Sequence, residues 1–117
     1  MDMAERKVSG LQVGIIVLTL ATAAIHFALG VVFPDPMFTP LFILNALIYL
    51  ALMVVYLLPQ LAAYHNLIRW VFIAFTAVTV VAYFVFNSGN FMNPIGLLTK
   101  VIEIALIVLL WLDRRNP

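Results

Sequence analysis

Lys100 and Glu103 stand three residues apart inside the apolar run from Ile95 to Leu112. On a helix that spacing puts the ammonium and the carboxylate on one face, close enough to pair. An ionisable group at membrane depth costs about 2.5 to 3.5 kcal/mol on insertion scales, so it calls for a partner or a function. His26, Asn45 and Thr79 lie within three further apolar stretches. Counted along each helix at about 1.5 Å per residue, His26, Asn45, Thr79, Lys100 and Glu103 fall in one slab, roughly 7 to 14 Å below the outer membrane boundary.

Two chemistries suit such a layer. One is a proton- or ligand-binding site, with Glu103 as proton acceptor and His26 as the group that changes charge in the physiological range. The other is a hydrogen-bonded, ion-paired clamp that fixes helix rotation. Lys100 partly neutralises Glu103, which suits a clamp better than a cation pocket. A Lys100 that snorkels outward would instead leave Glu103 less compensated. Bis-histidine haem ligation needs two imidazoles at one depth. His26 belongs to the outer half, whereas His65, in Tyr64-His65-Asn66, reads as a surface residue of a connection. No cofactor is therefore expected. Nor does the chain contain a nucleophile constellation, a phosphate-binding glycine loop or a metal-ligand cluster, so neither a metal site nor an enzymatic activity is expected.

The elements that carry these residues follow from composition. Of 117 residues 66% are apolar and 9% charged, against about 45 to 50% and about 25% in soluble domains. So few charges do not cover a surface in water. The formal net charge of +1 supplies no basic stripe, which argues against nucleic acid as a partner. With no cysteine, disulfides, thiolate metal sites and covalent haem attachment are excluded. Leu11 to Leu20 followed by Ala21-Thr22-Ala23 has the look of a secretory signal, but the apolar stretch continues to Phe33 and is better taken as a first membrane helix.

A hydrocarbon core of about 30 Å takes about 20 helical residues. Four stretches qualify, at approximately 11-33, 41-58, 67-87 and 95-112, and the whole chain, 1-117, forms a single domain. Pro34 and Pro36 with Asp35, then Pro59, then Asn87-Ser88-Gly89-Asn90 break them, with Pro40 and Pro94 expected at first helical positions. Such short connections make sequential helices antiparallel, which predicts an all-α, integral membrane four-helix bundle of up-down-up-down order. Arg6 and Lys7, His65 and Arg69, and Arg114 and Arg115 belong to one end; the connections near Asp35 and Gly89 lack Lys and Arg. The positive-inside rule then places both termini in the cytoplasm, in the plasma (inner) membrane, with Trp70 and Trp111 at the cytoplasmic headgroup level.

Polar and small residues mark the inward faces, because leucine-like side chains are equally content against lipid. Steps of four along the first helix give Gly10, Gly14, Leu18, Thr22, His26 and Gly30. Gly10-x-x-x-Gly14 and Gly30 are candidate close-packing points, and Ala24 with Ala28 form a second small pair. The other faces carry Asn45, Tyr49, Leu52 and Tyr56; Arg69, Phe72, Thr76, Thr79 and Tyr83; and Gly96, Lys100, Glu103 and Ile107. Val32-Phe33 before Met37-Phe38-Thr39-Pro40-Leu41 echoes Val85-Phe86 before Phe91-Met92-Asn93-Pro94-Ile95, although such residues are common at membrane interfaces.

A histidine late in the first helix, Phe42-Ile43-Leu44-Asn45-Ala46-Leu47-Ile48-Tyr49-Leu50, Thr76-Ala77-Val78-Thr79 and Lys100-Val101-Ile102-Glu103-Ile104-Ala105 together resemble a class of small four-span prokaryotic membrane proteins. That resemblance covers nearly the whole chain and implies a fold without an activity. A looser similarity is to accessory subunits of bacterial respiratory and photosynthetic electron-transfer complexes, such as the quinol-oxidising alternative complex III. Small multidrug transporters share the length, but their essential glutamate is in the first helix, which here has no carboxylate within the membrane. The expected function is a non-enzymatic accessory or structural subunit of a larger membrane complex, with the lipid bilayer and other membrane subunits as partners. The alternative is a small homo-oligomeric transporter or channel using the polar layer.

Overall fold

Proline and aspartate chemistry decides where the helices stop and start. The computed structural model describes residues 10–86 and 94–113, and within them the chain forms α1 (Gly10–Val32), α2 (Phe38–Leu57), α3 (His65–Phe86) and α4 (Pro94–Leu112). All four are long and apolar enough to cross a membrane. Each helix end lies within three residues of its sequence-based expectation. The basic flanks Arg6, Lys7, Arg114 and Arg115, and the connection around Gly89 with its share of the internal echo, lie outside the described residues.

Between α1 and α2 Asp35 does the capping. Its carboxylate accepts from the backbone N–H groups of Met37 (2.8 Å) and Phe38 (3.0 Å). In return, its own N–H donates to Thr39 Oγ1 (2.8 Å), and that hydroxyl donates to the Gly30 carbonyl of α1 (3.0 Å). Two helix ends are thereby tied together and several orphan groups satisfied. This cap starts α2 earlier than Pro40 alone suggests. Pro40 is the third helical residue rather than the first, a position whose N–H has no intrahelical partner in any case.

At the opposite end Pro59 forces Leu58 into an extended conformation, φ −68° and ψ 123°. The chain continues as a 3-10 segment, Pro59–Tyr64, which runs directly into α3. Helical structure here, where a plain loop was expected, turns His65 towards the bundle.

α1 packs against α2 and α4, and α3 packs against α4, with a smaller contact between α2 and α3. Two glycines set the approach of α1. A methyl group at Gly14 would come within 2.7 Å of Leu109 Cδ1 on α4, and one at Gly30 within 3.3 Å of both Phe42 and Ile43 on α2. Gly10 does not share this role, because nothing lies within 4 Å of the place its side chain would occupy. Ala24 and Ala28 also face outwards. The apolar interior holds Ile15, Ala23, Ala46, Tyr49, Tyr56, Phe72, Leu106 and Leu110, and the large exposed side chains are mostly Val, Leu, Ile and Phe. Since lipid solvates these as well as the core does, packing and polar contacts between helices determine which faces turn inwards.

Candidate functional site

Glu103 is the tenth of the nineteen residues of α4, so its carboxylate sits at the middle of the bundle. It is 0% exposed. Lys100, one turn earlier on the same helix, pairs with Oε1. On the other oxygen, Oε2, converge the Thr22 hydroxyl of α1 (3.0 Å) and the Tyr49 hydroxyl of α2 (2.8 Å), both as donors. His26 of α1 brings its Nε2 to 3.9 Å from Oε2. Three helices thus close on one carboxylate.

Alpha-helical periodicity explains the convergence. Thr22 and His26 are one turn apart on the buried face of α1, and Tyr49 is fully buried on α2. Main-chain contact between α2 and α4 is lacking among the described residues, so the long Tyr49 side chain is what bridges that diagonal. Lys100 does not snorkel away. It is buried, and its ammonium lies 5.2 Å from the centre of the Tyr83 ring of α3, a cation–π arrangement that offsets part of its desolvation.

Of the five residues expected in the polar layer, His26, Lys100 and Glu103 share one cluster. Asn45 and Thr79 form an adjoining pair, with Asn45 Nδ2 donating to Thr79 Oγ1 at 3.0 Å. Thr79 and Thr76 donate their own hydroxyl protons to the Phe75 and Phe72 carbonyls, which leaves their lone pairs facing the interior. Among the described residues, Asn45 Oδ1 and the buried Thr19 hydroxyl have no hydrogen-bond partner, and Glu103 Oε1 has its ion pair with Lys100 alone. Thr22 and Tyr49 complete the carboxylate's shell. Their stripes are visible in the sequence, but nothing there says that both reach Glu103.

A second buried polar cluster closes the end of the bundle where α2 meets α3. Tyr56 donates to Asp113 Oδ2. His65 Nε2 donates to the Asp113 carbonyl (2.9 Å) and lies 3.7 Å from its carboxylate. Arg69 donates to the carbonyls of Leu110 (3.3 Å) and Trp111 (3.4 Å), capping the negative end of α4. His65 is therefore not a surface residue; it is only 6% exposed. The 3-10 segment, invisible in the sequence, is what carries it inwards. Tyr49 and Tyr56, two turns apart on α2, play matching parts: Tyr49 sends its hydroxyl to Glu103 within α4 and Tyr56 sends its own to Asp113 just after α4.

His26 contacts Glu103 within α4 and His65 contacts Asp113 just after its end, ten residues on and hence about 15 Å away along the axis. A single chain does not present both imidazoles to one haem. Nor do the described residues contain a group of three or more His, Cys, Asp or Glu able to hold a metal ion. Surface grooves, one at Pro34 to Pro40 and one between α1 and α4 at Ile25, Leu29 and Leu98, do not reach Glu103. The chain matches no described protein family, no curated protein and no solved structure.

Proposed function

We propose that this chain is a non-enzymatic structural subunit of a larger membrane assembly, and that the Glu103 cluster is a clamp holding its helices in register. The observation that carries this is the internal pairing of Glu103: a fully buried carboxylate whose Oε1 is ion-paired with Lys100 and whose Oε2 accepts from Thr22 and Tyr49, all within its own chain. A site built to take up an ion or substrate keeps coordinating oxygen free and a route to it. Here the donors are internal, and the connections between α1 and α2 and between α2 and α3 are too short to build an active site in water. What remains for interaction is the apolar outer face, suited to lipid and to other membrane subunits. The reading extends to a place in the plasma (inner) membrane with both termini cytoplasmic, supported by the basic residues that flank the first and last spans.

The test is native mass spectrometry of the tagged chain extracted in mild detergent. A hetero-assembly of fixed stoichiometry is the expected result. The second reading, a small homo-oligomeric transporter or channel, draws on the position of Glu103 halfway along α4. A homo-oligomer that carries proton-linked flux in vesicles would put it in place of the first.

A further inference from the structure

His26 Nδ1 lies 2.8 Å from the Thr22 carbonyl, which only accepts, so Nδ1 carries a proton. In a neutral imidazole Nε2 is then unprotonated. That nitrogen points at Glu103 Oε2 from 3.9 Å, beyond hydrogen-bond range and within reach of an ion pair. Lys100 holds the other oxygen. One carboxylate therefore faces two basic nitrogens, one on each oxygen. A dry interior balances one negative charge with one positive charge, and a proton added to His26 beside a charged Lys100 would bury an uncompensated cation.

We infer that Glu103 is the shared counter-charge of two alternative cation positions, Lys100 on one oxygen and His26 Nε2 on the other, and that His26 is a proton-binding site. It takes up a proton from bulk water only where the lysine charge is removed from Oε1, as when Lys100 is replaced by a neutral residue, and the net charge of the cluster then stays at zero. The other titratable groups facing it are Tyr49 on α2, which donates to Oε2, and Tyr83 on α3, whose ring lies under Lys100. Tyr49 meets the carboxylate as a hydrogen-bond donor, and Tyr83 meets the ammonium with the face of its ring. The His26 ring itself rests against Phe42 and Tyr49, with centroids 6.0 and 6.1 Å away, which keeps Nε2 directed at the carboxylate. This deepens the clamp reading and rests on its ionised, internally paired Glu103.

The experiment is nitrogen-15 NMR of histidine-labelled full-length protein in lipid nanodiscs, with the His26 signal assigned as the one lost in His26→Asn. Wild type at neutral pH should show Nδ1 protonated and Nε2 bare. In Lys100→Met both nitrogens should carry protons, with the charged-to-neutral ratio raised at least about tenfold, the equivalent of one pH unit. Adding Glu103→Gln to Lys100→Met should return His26 to the neutral form. A wild-type His26 protonated on Nε2, or a Lys100→Met spectrum like that of wild type, overturns the inference. If Lys100→Met does not fold, the wild-type protonation state decides alone. Failure here with a stable hetero-assembly removes the proton site and leaves the structural role standing; a homo-oligomer in which His26 behaves as expected does the reverse.

Discussion

At the scale of single residues, the Glu103 carboxylate of α4 organises the interior, and its replacements differ in consequence. Glu103→Gln keeps the volume and can still accept from Thr22 or Tyr49, but it removes the charge facing Lys100. Glu103→Leu strands Lys100, Thr22 and Tyr49 together. Breaking a buried pair by removing one partner costs about 3 to 5 kcal/mol, whereas a single membrane hydrogen bond averages nearer 0.6 kcal/mol. Thermal stability and retention of partner subunits should therefore fall in the order wild type, Gln, Leu. A Glu103→Gln protein that keeps its partners yet loses proton-linked flux would contradict the clamp. The sequence exposes the Lys100–Glu103 pair directly, because three-residue spacing on a helix needs no tertiary knowledge. It exposes Thr22 and Tyr49 only as members of stripes, since a stripe gives a direction and not the identity of the side chain it meets across the bundle.

Elements bring in constraints that pairwise spacing does not show. The end of α4 is held from outside itself by Arg69 on its carbonyls and by Tyr56 and His65 on Asp113. Arg69→Met removes the hydrogen bonds donated to two carbonyls and a positive charge from the negative end of the helix, while Tyr56→Phe removes one hydroxyl. Hydrogen exchange at the amides of Leu109 to Asp113 should rise in both variants, and more in Arg69→Met; equal rates in wild type and Arg69→Met would deny the cap. Glycine substitutions separate true packing points from coincidental ones. Gly30→Leu must push Phe42 and Ile43 apart and should cost about 1 to 3 kcal/mol, the usual penalty of overpacking. Gly10→Ala meets open space and should leave the unfolding midpoint unchanged. Four apolar runs bounded by proline and aspartate are enough to find the helices from the sequence. Small residues are ambiguous: Gly10 and Gly14 have the same spacing signature, and only the position of Leu109 distinguishes them.

For the whole molecule the open question of direction has a physical handle. Helix order fixes that the Asp35 connection lies at one end and that the amino-terminal end of α1, the 3-10 segment and the carboxyl-terminal end of α4 lie at the other. Arg69 is committed to the α4 carbonyls, so the charges left to respond to the membrane are those flanking the spans: Arg6 and Lys7 before α1, and Arg114 and Arg115 after α4. In the sequence all four flank the spans on the side of the second end, and the cytoplasmic placement proposed for that end rests on this charge bias through the positive-inside rule. Trp70 and Trp111 pack edge to face there, ring centres 5.4 Å apart and both half exposed, as amphipathic rings at a headgroup boundary do. Asp35 itself should not be replaced to test this, because its carboxylate starts α2. Pro36 beside it is exposed and makes a safer reporter. A cysteine in place of Pro36 or of Ser88 should react with a membrane-impermeant thiol reagent added to intact cells, and one in place of Asn116 should react only after the membrane is opened. Labelling of Asn116→Cys from outside, with Pro36→Cys protected, would turn the molecule over and leave its basic flanks on the side the rule forbids.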